Sequence, residues 1–141
     1  MAFLATYPDD PSLRNAMTTV LAKRGRTVEA LAHTREALRS APDNVRARVN
    51  LGNLLALKGD PDGARAAYQT ALRIDPNDAD AHGNFGLLLT GQGRIAEAEA
   101  HLAEALRHNP ELSHIWRTLD DLRRRRDRTG GSPDPDRADG R

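Results

Sequence analysis

The feature of this chain that most constrains its fold is a spacing of 34 residues that recurs without insertion. Five sets of residues return at this spacing: Gly25, Gly59 and Gly93; Ala30, Ala64 and Ala98; Ala37, Ala71 and Ala105; Leu38, Leu72 and Leu106; Pro42, Pro76 and Pro110. An ordinary amphipathic bundle explains apolar residues at helical spacing, but it gives no reason for glycine and proline to recur together. A period of this length is typical of stacked supersecondary units, so we expect three successive units.

Each unit is predicted to consist of two helices joined by a tight turn. The recurring glycine can adopt the left-handed conformation that ends a helix. The recurring proline stops the second helix because it has no backbone N–H group. We predict a first helix from Pro11, with Asp10 as its N-cap. Further helices are predicted over residues 27–40, 45–58, 61–74, 79–91 and 95–108.

The middle and third units carry the same pattern of large, small and turn residues. In the middle unit it comprises Asn50-Leu51-Gly52, Leu55, Gly59-Asp60, Ala64, Tyr68, Ala71-Leu72 and Asp75-Pro76-Asn77. In the third unit it comprises Asn84-Phe85-Gly86, Leu89, Gly93, Ala98, Leu102, Ala105-Leu106 and Asn109-Pro110. The first unit has Thr18 in place of the glycine and Thr34 in place of the large residue, so its helices are expected to pack less tightly. The units resemble tetratricopeptide repeats, a family built from 34-residue helix–turn–helix units.

The resemblance implies an all-α fold, a right-handed α-solenoid of three helix–turn–helix repeats with a seventh, capping helix. The predicted segments are residues 11–44, 45–78 and 79–112 for the three repeats, 113–127 for the capping helix and 128–141 for a disordered tail. The tail has no apolar residue larger than alanine to offset the entropy of ordering it.

Both ends of the repeats carry signals of their own. The capping helix is predicted to dock on the third repeat through Ile115, Trp116, Leu119 and Leu122. Within residues 1–10, Leu4 and Pro8 continue the leucine and proline series backwards by one period. This segment is therefore expected to be either a remnant of a preceding repeat or a short cap over the first helix. Because solenoid ends expose apolar surface, self-association through Phe3, Leu4 or Trp116 also stays open.

Composition excludes several classes of site. The 141 residues include no cysteine, which excludes disulfides and cysteine-based zinc sites. No signal-peptide pattern and no apolar run of membrane-spanning length is found, and we expect a cytoplasmic protein. The net charge is +1. From Arg123 onward there are seven arginines and four aspartates, a balance of +3, so the remaining residues carry −2. The repeats therefore lack the basic surface typical of nucleic-acid binding.

The sequence shows no catalytic or metal-binding constellation, and we expect no enzyme activity, no cofactor and no metal. The five histidines are His33, His82, His101, His108 and His114. None of them pairs at helical metal-site spacing with a third ligand nearby, so they are expected to be surface or partly packed residues. Nucleophile-elbow, zinc-protease and phosphate-loop motifs are all missing.

The function implied by the resemblance is binding of a peptide or partner helix in a concave groove lined by the first helices. The groove-facing positions are Asn15, Thr19, Lys23, Arg46, Val49, Asn53, Leu57, Asp80, Gly83, Leu87 and Thr90. The cap adds His114 and Arg117. Asn53 is the leading candidate, because an amide can bond to a peptide N–H and a peptide C=O together.

The chemistry of the other positions suggests their roles. Arg46 and Lys23 are expected to hold a carboxylate, and Gly83 is expected to leave room for the ligand chain. The predicted apolar floor consists of Val49, Leu57 and Leu87.

One subgroup of the family clamps the C-terminal carboxylate of chaperones with lysine and arginine. The corresponding positions in this chain are Asn15, Thr19, Asn50, Asp80 and Asn84. The cations are absent, and Asp80 would repel a carboxylate. We therefore predict that the chain is not a clamp of this kind.

Two other functions stay open. The repeats are similar to those that precede glycosyltransferase or sulfotransferase domains, so the chain could be the repeat arm of a larger enzyme whose catalytic domain is absent here. Arg123–Arg126 could bind nucleic acid or another acidic surface. Nucleic acid is not favoured, because three aspartates lie nearby and no aromatic residue interleaves with the arginines.

Overall fold

The computed structural model describes residues 10–129, which form seven helices. They are α1 (Pro11–Lys23), α2 (Thr27–Ser40), α3 (Val45–Lys58), α4 (Pro61–Ile74), α5 (Ala79–Gly91), α6 (Ile95–His108) and α7 (Ser113–Arg128). The predicted helix bounds are confirmed, and α7 extends one residue beyond the predicted capping helix. The predicted remnant or cap in residues 1–9 and the tail beyond residue 129 lie outside the described residues.

Side-chain caps explain where four of the helices, α1, α3, α4 and α5, begin. Asn44, Asp60 and Asp78 each accept a hydrogen bond from the backbone N–H three residues ahead, at 3.0, 2.9 and 2.8 Å. Asp10 caps α1 in the same way, as predicted. The turns within the repeats contain the recurring glycines with φ between 74° and 87°. These are left-handed backbone conformations that residues other than glycine rarely adopt.

The helices form two layers. The backbones of the first helices approach one another in order, α1 with α3, α3 with α5 and α5 with α7. Each second helix packs between the first helix of its own repeat and that of the next. Among the described residues, the backbones of successive second helices do not come this close. The first helices therefore form the inner layer of a curved stack, the arrangement that a groove along them requires.

In the second and third repeats, a glycine on the first helix packs against a large residue on the second helix. A Cβ atom on Gly52 would lie 2.7 Å from Cδ1 of Tyr68, and one on Gly86 would lie 2.7 Å from Cγ of Leu102. These glycines therefore let the two helices of a repeat approach closely.

In the first repeat, two residues of medium size contact each other at the equivalent positions. Thr18 and Thr34 are both buried, and their hydroxyl oxygens are 3.1 Å apart. The two threonines thus meet where glycine and a large residue meet in the other repeats, and the looser packing expected of this repeat stays a prediction.

The capping helix α7 docks through three of its four predicted residues. Ile115, Leu119 and Leu122 are buried against the third repeat. Trp116 does not join them, contrary to prediction, and is 51% exposed. Its position matches that of His82, which is covered by α6. No second helix follows α7 within the described residues, so nothing there covers the indole.

An ion pair also ties α7 to α6. Arg126 Nη1 lies 2.6 Å from Oε2 of Glu99, whose side chain is only 14% exposed. The other arginines of the run pair mainly within α7, Arg124 with Asp120 at 3.0 Å and Arg125 with Asp121 at 2.8 Å. Three of the four arginines that could bind an acidic surface therefore already have acidic partners.

Candidate functional site

The main depression on the inner layer lies between the second and third repeats. It has a volume of about 440 Å³ and is lined by Asn53, Ala56, Leu57, Tyr68, Asn84, Leu87 and Leu88. Leu57 is 68% exposed. The depression thus combines an accessible apolar surface with two amide side chains.

A smaller depression adjoins it between α1 and α3. Its volume is about 140 Å³, and its lining includes Thr19, Lys23, Asn53 and Leu57. Asn53 and Leu57 belong to both depressions. The structure therefore brings together five of the predicted residues, these four and Leu87, along one continuous surface.

Asn53 is held in place by a residue from the outer layer. The Tyr68 hydroxyl donates a hydrogen bond to Oδ1 of Asn53 at 2.5 Å. This bond engages the amide oxygen of Asn53, while its NH₂ group keeps its two donor hydrogens. Burial raises the pKa of Tyr68 well above its ordinary value, so the phenol stays neutral and remains a donor.

Two of the three charged residues predicted for the groove, Arg46 and Asp80, bind each other. Arg46 Nη2 lies 2.7 Å from Oδ2 of Asp80, which occupies the same repeat position one period later. The predicted roles, a cation that holds a ligand carboxylate and an acid that repels it, are corrected to one neutralised pair. Both side chains remain nearly half exposed, 48% and 42%.

Three predicted groove residues are buried. Val49 has no exposed surface, so the prediction that it forms part of the floor is wrong in this conformation. Gly83 lies against Ile115, since a Cβ there would be 3.1 Å from Cδ1 of that residue, and it faces the cap instead of a ligand. Asn15 is also buried, with its amide nitrogen 3.5 Å from Oδ1 of Asn44.

Three further predicted residues lie outside these two depressions. Thr90 donates its hydroxyl hydrogen to the carbonyl of Gly86 at 2.9 Å. His114 and Arg117 are exposed on α7, where Arg117 lines a separate depression of about 370 Å³ beside Trp116.

Four residues line the main depression without having been predicted for it: Tyr68, Ala56, Leu88 and Asn84. Tyr68 was missed because it belongs to a second helix, whereas the groove was assigned to first helices. Gly52 could have indicated this role of Tyr68, because a glycine opposite the tyrosine allows its long side chain to reach the inner layer. Asn84 was recognised only as a clamp position.

Two further properties of the described residues concern metal binding and the crossing of a membrane. No group of three or more histidines and carboxylates within residues 10–129 is arranged to hold a metal ion. Over the same range, the helices are all too short or too polar to cross a lipid bilayer.

Solved structures similar to this chain share its helical stacking. The TPR domain of Sgt2 from Aspergillus fumigatus superposes with a TM-score of 0.78 at 16% identity, over 89% of this chain and 84% of that one. The first TPR of Spaghetti (RPAP3), solved with the HSP90 peptide SRMEEVD, gives a TM-score of 0.76 at 14% identity, over 81% of this chain and 93% of that one.

An enzyme also contains similar repeats. A mutant O-GlcNAc transferase of Thermobaculum terrenum superposes with a TM-score of 0.75 at 23% identity, over 79% of this chain. The chain spans only 22% of the length of that transferase. None of the curated protein sequences matches the chain significantly.

Family models identify the repeats directly. Two models, both described as tetratricopeptide repeat, match residues 16–79 and residues 55–122. The matches overlap and together extend from the first repeat into α7. With the seven stacked helices and the recurring glycine turns, they establish that the chain belongs to the tetratricopeptide-repeat family.

Proposed function

We propose that this protein is a non-catalytic interaction scaffold that binds a peptide or a partner helix in the groove along its first helices. The observation that carries the proposal is the exposed Leu57 side chain, which lies between two adjoining depressions. Leu57 lines the main depression together with Ala56, Leu87 and Leu88, and a concave, mainly apolar surface with a few polar groups is typical of binding sites in proteins. The partner is expected to cover Leu57 and Leu87 with apolar side chains.

The amides that line the same depression suggest how the partner backbone is held. With its oxygen bonded to Tyr68, Asn53 offers its NH₂ group, which suits a carbonyl oxygen of the partner. Asn84 lines the depression as well and can offer both a donor and an acceptor. The proposed ligand is thus a segment with exposed backbone carbonyls and aliphatic side chains.

The charges around the groove argue against an acidic ligand. Arg46 and Asp80 neutralise each other, and Lys23 is the remaining cation in the two depressions. We therefore expect no tight binding of SRMEEVD, the peptide seen on the Spaghetti domain. Isothermal titration with that peptide tests this expectation, and a micromolar or tighter complex would overturn it.

The proposal is tested by selecting binders from a random peptide library displayed on phage, with this protein as bait. Selected peptides are then titrated against the parent and against Leu57→Asp, which places a charge in the apolar depression. We expect the peptides to be aliphatic and the variant to bind at least about tenfold more weakly.

The chain offers a matched control for this substitution. Val28 lies on α2 and is 73% exposed, so Val28→Asp introduces the same charge at a similarly exposed aliphatic residue outside the groove. Binding should survive this change. If both variants bind like the parent, or if both lose binding equally, the groove is not the binding surface.

The open alternatives stay predictions. A role as the repeat arm of a larger enzyme is supported only by the likeness to the transferase. At 23% identity this likeness concerns the fold alone. Nucleic-acid binding through the arginine run is weakened by the acidic partners of Arg124, Arg125 and Arg126. The cytoplasmic location and the self-association through the solenoid ends also remain to be tested.

A further inference from the structure

Two histidines face each other between the helices of the third repeat. The Nδ1 atoms of His82 on α5 and His101 on α6 are 3.1 Å apart, and the ring centroids are 5.3 Å apart. Because the nitrogens are so much closer than the centroids, they lie between the two rings and point toward each other. His82 is only 8% exposed, and His101 is partly buried.

A backbone carbonyl fixes which nitrogen of His82 carries the proton. Nε2 of His82 lies 2.7 Å from the carbonyl oxygen of Pro76, and a carbonyl can only accept a hydrogen bond. Nε2 must therefore be the donor, so neutral His82 has a lone pair on Nδ1. His101 must then donate from its own Nδ1, which defines the tautomers of both neutral rings.

In the second repeat, the equivalent proline carbonyl accepts hydrogen bonds from an arginine instead of a histidine. Arg48 lies one period before His82 and donates from Nε and Nη2 to the carbonyl of Pro42, both at 3.3 Å. An arginine stays charged at all physiological pH values. In the third repeat an imidazole, that of His82, takes the place of this permanent cation.

The distance between the two Nδ1 atoms limits how many protons the histidine pair can bind while the rings stay in contact. With one added proton, His82 donates from both nitrogens and His101 accepts at Nδ1, with its hydrogen moved to Nε2. Every polar atom between the rings is then still satisfied. With a second proton both Nδ1 atoms carry hydrogens, and two N–H groups cannot face each other at 3.1 Å.

The surroundings of His101 favour its neutral form. Burial lowers the pKa of His101, and the neighbouring His82 lowers it further, while Glu97 and Glu104 act in the opposite direction. The Phe85 ring packs on the imidazole with its centroid 4.5 Å away. An aromatic ring offers a charged imidazolium far less stabilisation than water does.

The two carboxylates near His101 are already engaged. Glu97 pairs with Arg94, which immediately precedes α6, and with Arg65 on α4, the latter at 3.5 Å. Arg65 also lies over the Phe85 ring, so α4 adds a positive charge on this side.

Glu104 has two basic neighbours of its own on α6. It pairs with His108 at 3.0 Å and with Arg107 at 3.6 Å. His108 in turn stacks near His82, with ring centroids 6.4 Å apart. The ion pair that links α7 to α6 uses Glu99 instead. The two carboxylates that act on His101 are therefore both shared with other basic side chains.

We propose that the facing pair of His82 and His101 is an acid-sensitive link between α5 and α6. It accepts one proton in place and a second only when the rings separate, so acidification loosens the third repeat. The link is independent of the proposed binding function, since it concerns the stability of the repeat alone.

The direction of the pH effect follows from the depressed pKa of His101. The folded state favours the neutral ring, so the stabilising contribution is complete above the ordinary histidine pKa. It is lost as the pH falls through the lower pKa of the folded protein.

The test compares urea unfolding midpoints of the parent and of His101→Gln between about pH 7.5 and pH 5. The glutamine amide can still donate to Nδ1 of His82 but cannot take up a proton. We expect the midpoint of the parent to fall with acid by clearly more than that of the variant. His33→Gln, which removes a histidine from α2, should behave like the parent. Equal pH dependence of the parent and His101→Gln would overturn the proposal.

Nitrogen-15 NMR of the parent tests the same link without any substitution. At neutral pH we expect protonation at Nε2 of His82 and at Nδ1 of His101. The pair should titrate in two steps separated by at least about one pH unit. A neutral His82 protonated on Nδ1, or two steps that coincide, would refute the arrangement even if the glutamine variant did not fold.

Discussion

Adding one methyl group at Gly86 should cost the third repeat much of its stability. A Cβ atom there would lie 2.7 Å from both Cγ and Cδ2 of Leu102 and 3.2 Å from its backbone nitrogen. The nitrogen and Cγ are not the free end of a flexible side chain, so Gly86→Ala forces α5 and α6 apart. Overpacking of this kind costs about 1–3 kcal/mol, and the depth of this overlap points to the upper half of that range.

Helix propensity acts in the opposite direction and needs a control. Replacing a helical glycine with alanine stabilises by up to about 1 kcal/mol when nothing is in the way. Gly91 lies at the end of the same helix, and a Cβ atom there would meet nothing within 4 Å. Gly91→Ala should therefore be neutral or slightly stabilising. The free energies of unfolding of the two variants are expected to differ by about 2–3 kcal/mol.

Urea denaturation measures this difference. With a slope of about 2 kcal/mol per molar urea, the midpoint of Gly86→Ala should lie about 1 M below that of Gly91→Ala. Circular dichroism follows all the helices, and fluorescence of the single tryptophan, Trp116, follows the docking of α7. Because each repeat contacts only its neighbours, the fluorescence transition should shift most. Equal midpoints for the two variants would refute the claim that close helix approach requires Gly86.

Two further substitutions test other contacts by the same denaturation assay. Arg126→Ala should lower the free energy of unfolding by about 1–2 kcal/mol, because it leaves the mostly buried carboxylate of Glu99 without its partner. Arg125→Ala, which removes an exposed ion pair, should cost less than about 0.5 kcal/mol, and equal losses would contradict this reasoning. Replacing Thr18 and Thr34 together with valine should change the free energy by less than about 1 kcal/mol, since both hydroxyls are removed at nearly constant shape. A larger loss would mean that the contact between the two hydroxyl groups makes a major contribution to the stability of the first repeat.

The fold could be predicted from the sequence because its signals are local and recur. Gly59, for example, ends α3 with a left-handed φ of 87°, and this depends only on the residue type and its place after a helical run. Asp60 then caps α4 through the backbone of Gly63. Such signals need no knowledge of distant parts of the chain, and their repetition removes the ambiguity of any single one.

The groove was harder to predict because a first helix has neighbours on several sides. Val49 and Leu57 lie on the same helix and were both assigned to the groove, yet one is buried and the other exposed. Their repeat positions alone do not distinguish the surface that faces a neighbouring repeat from the surface that faces solvent. Arg46 and Asp80 could have been paired in advance, since equal positions on successive first helices are adjacent in the stack.

The bond between Tyr68 and Asn53 has a consequence for anyone who wishes to move this recognition surface to another protein. Copying only the first-helix residues onto a designed repeat would transfer Asn53 without the phenol that orients it. The phenol in turn reaches the inner layer only across Gly52. These three residues therefore form the smallest transferable unit, and it spans both helices of one repeat.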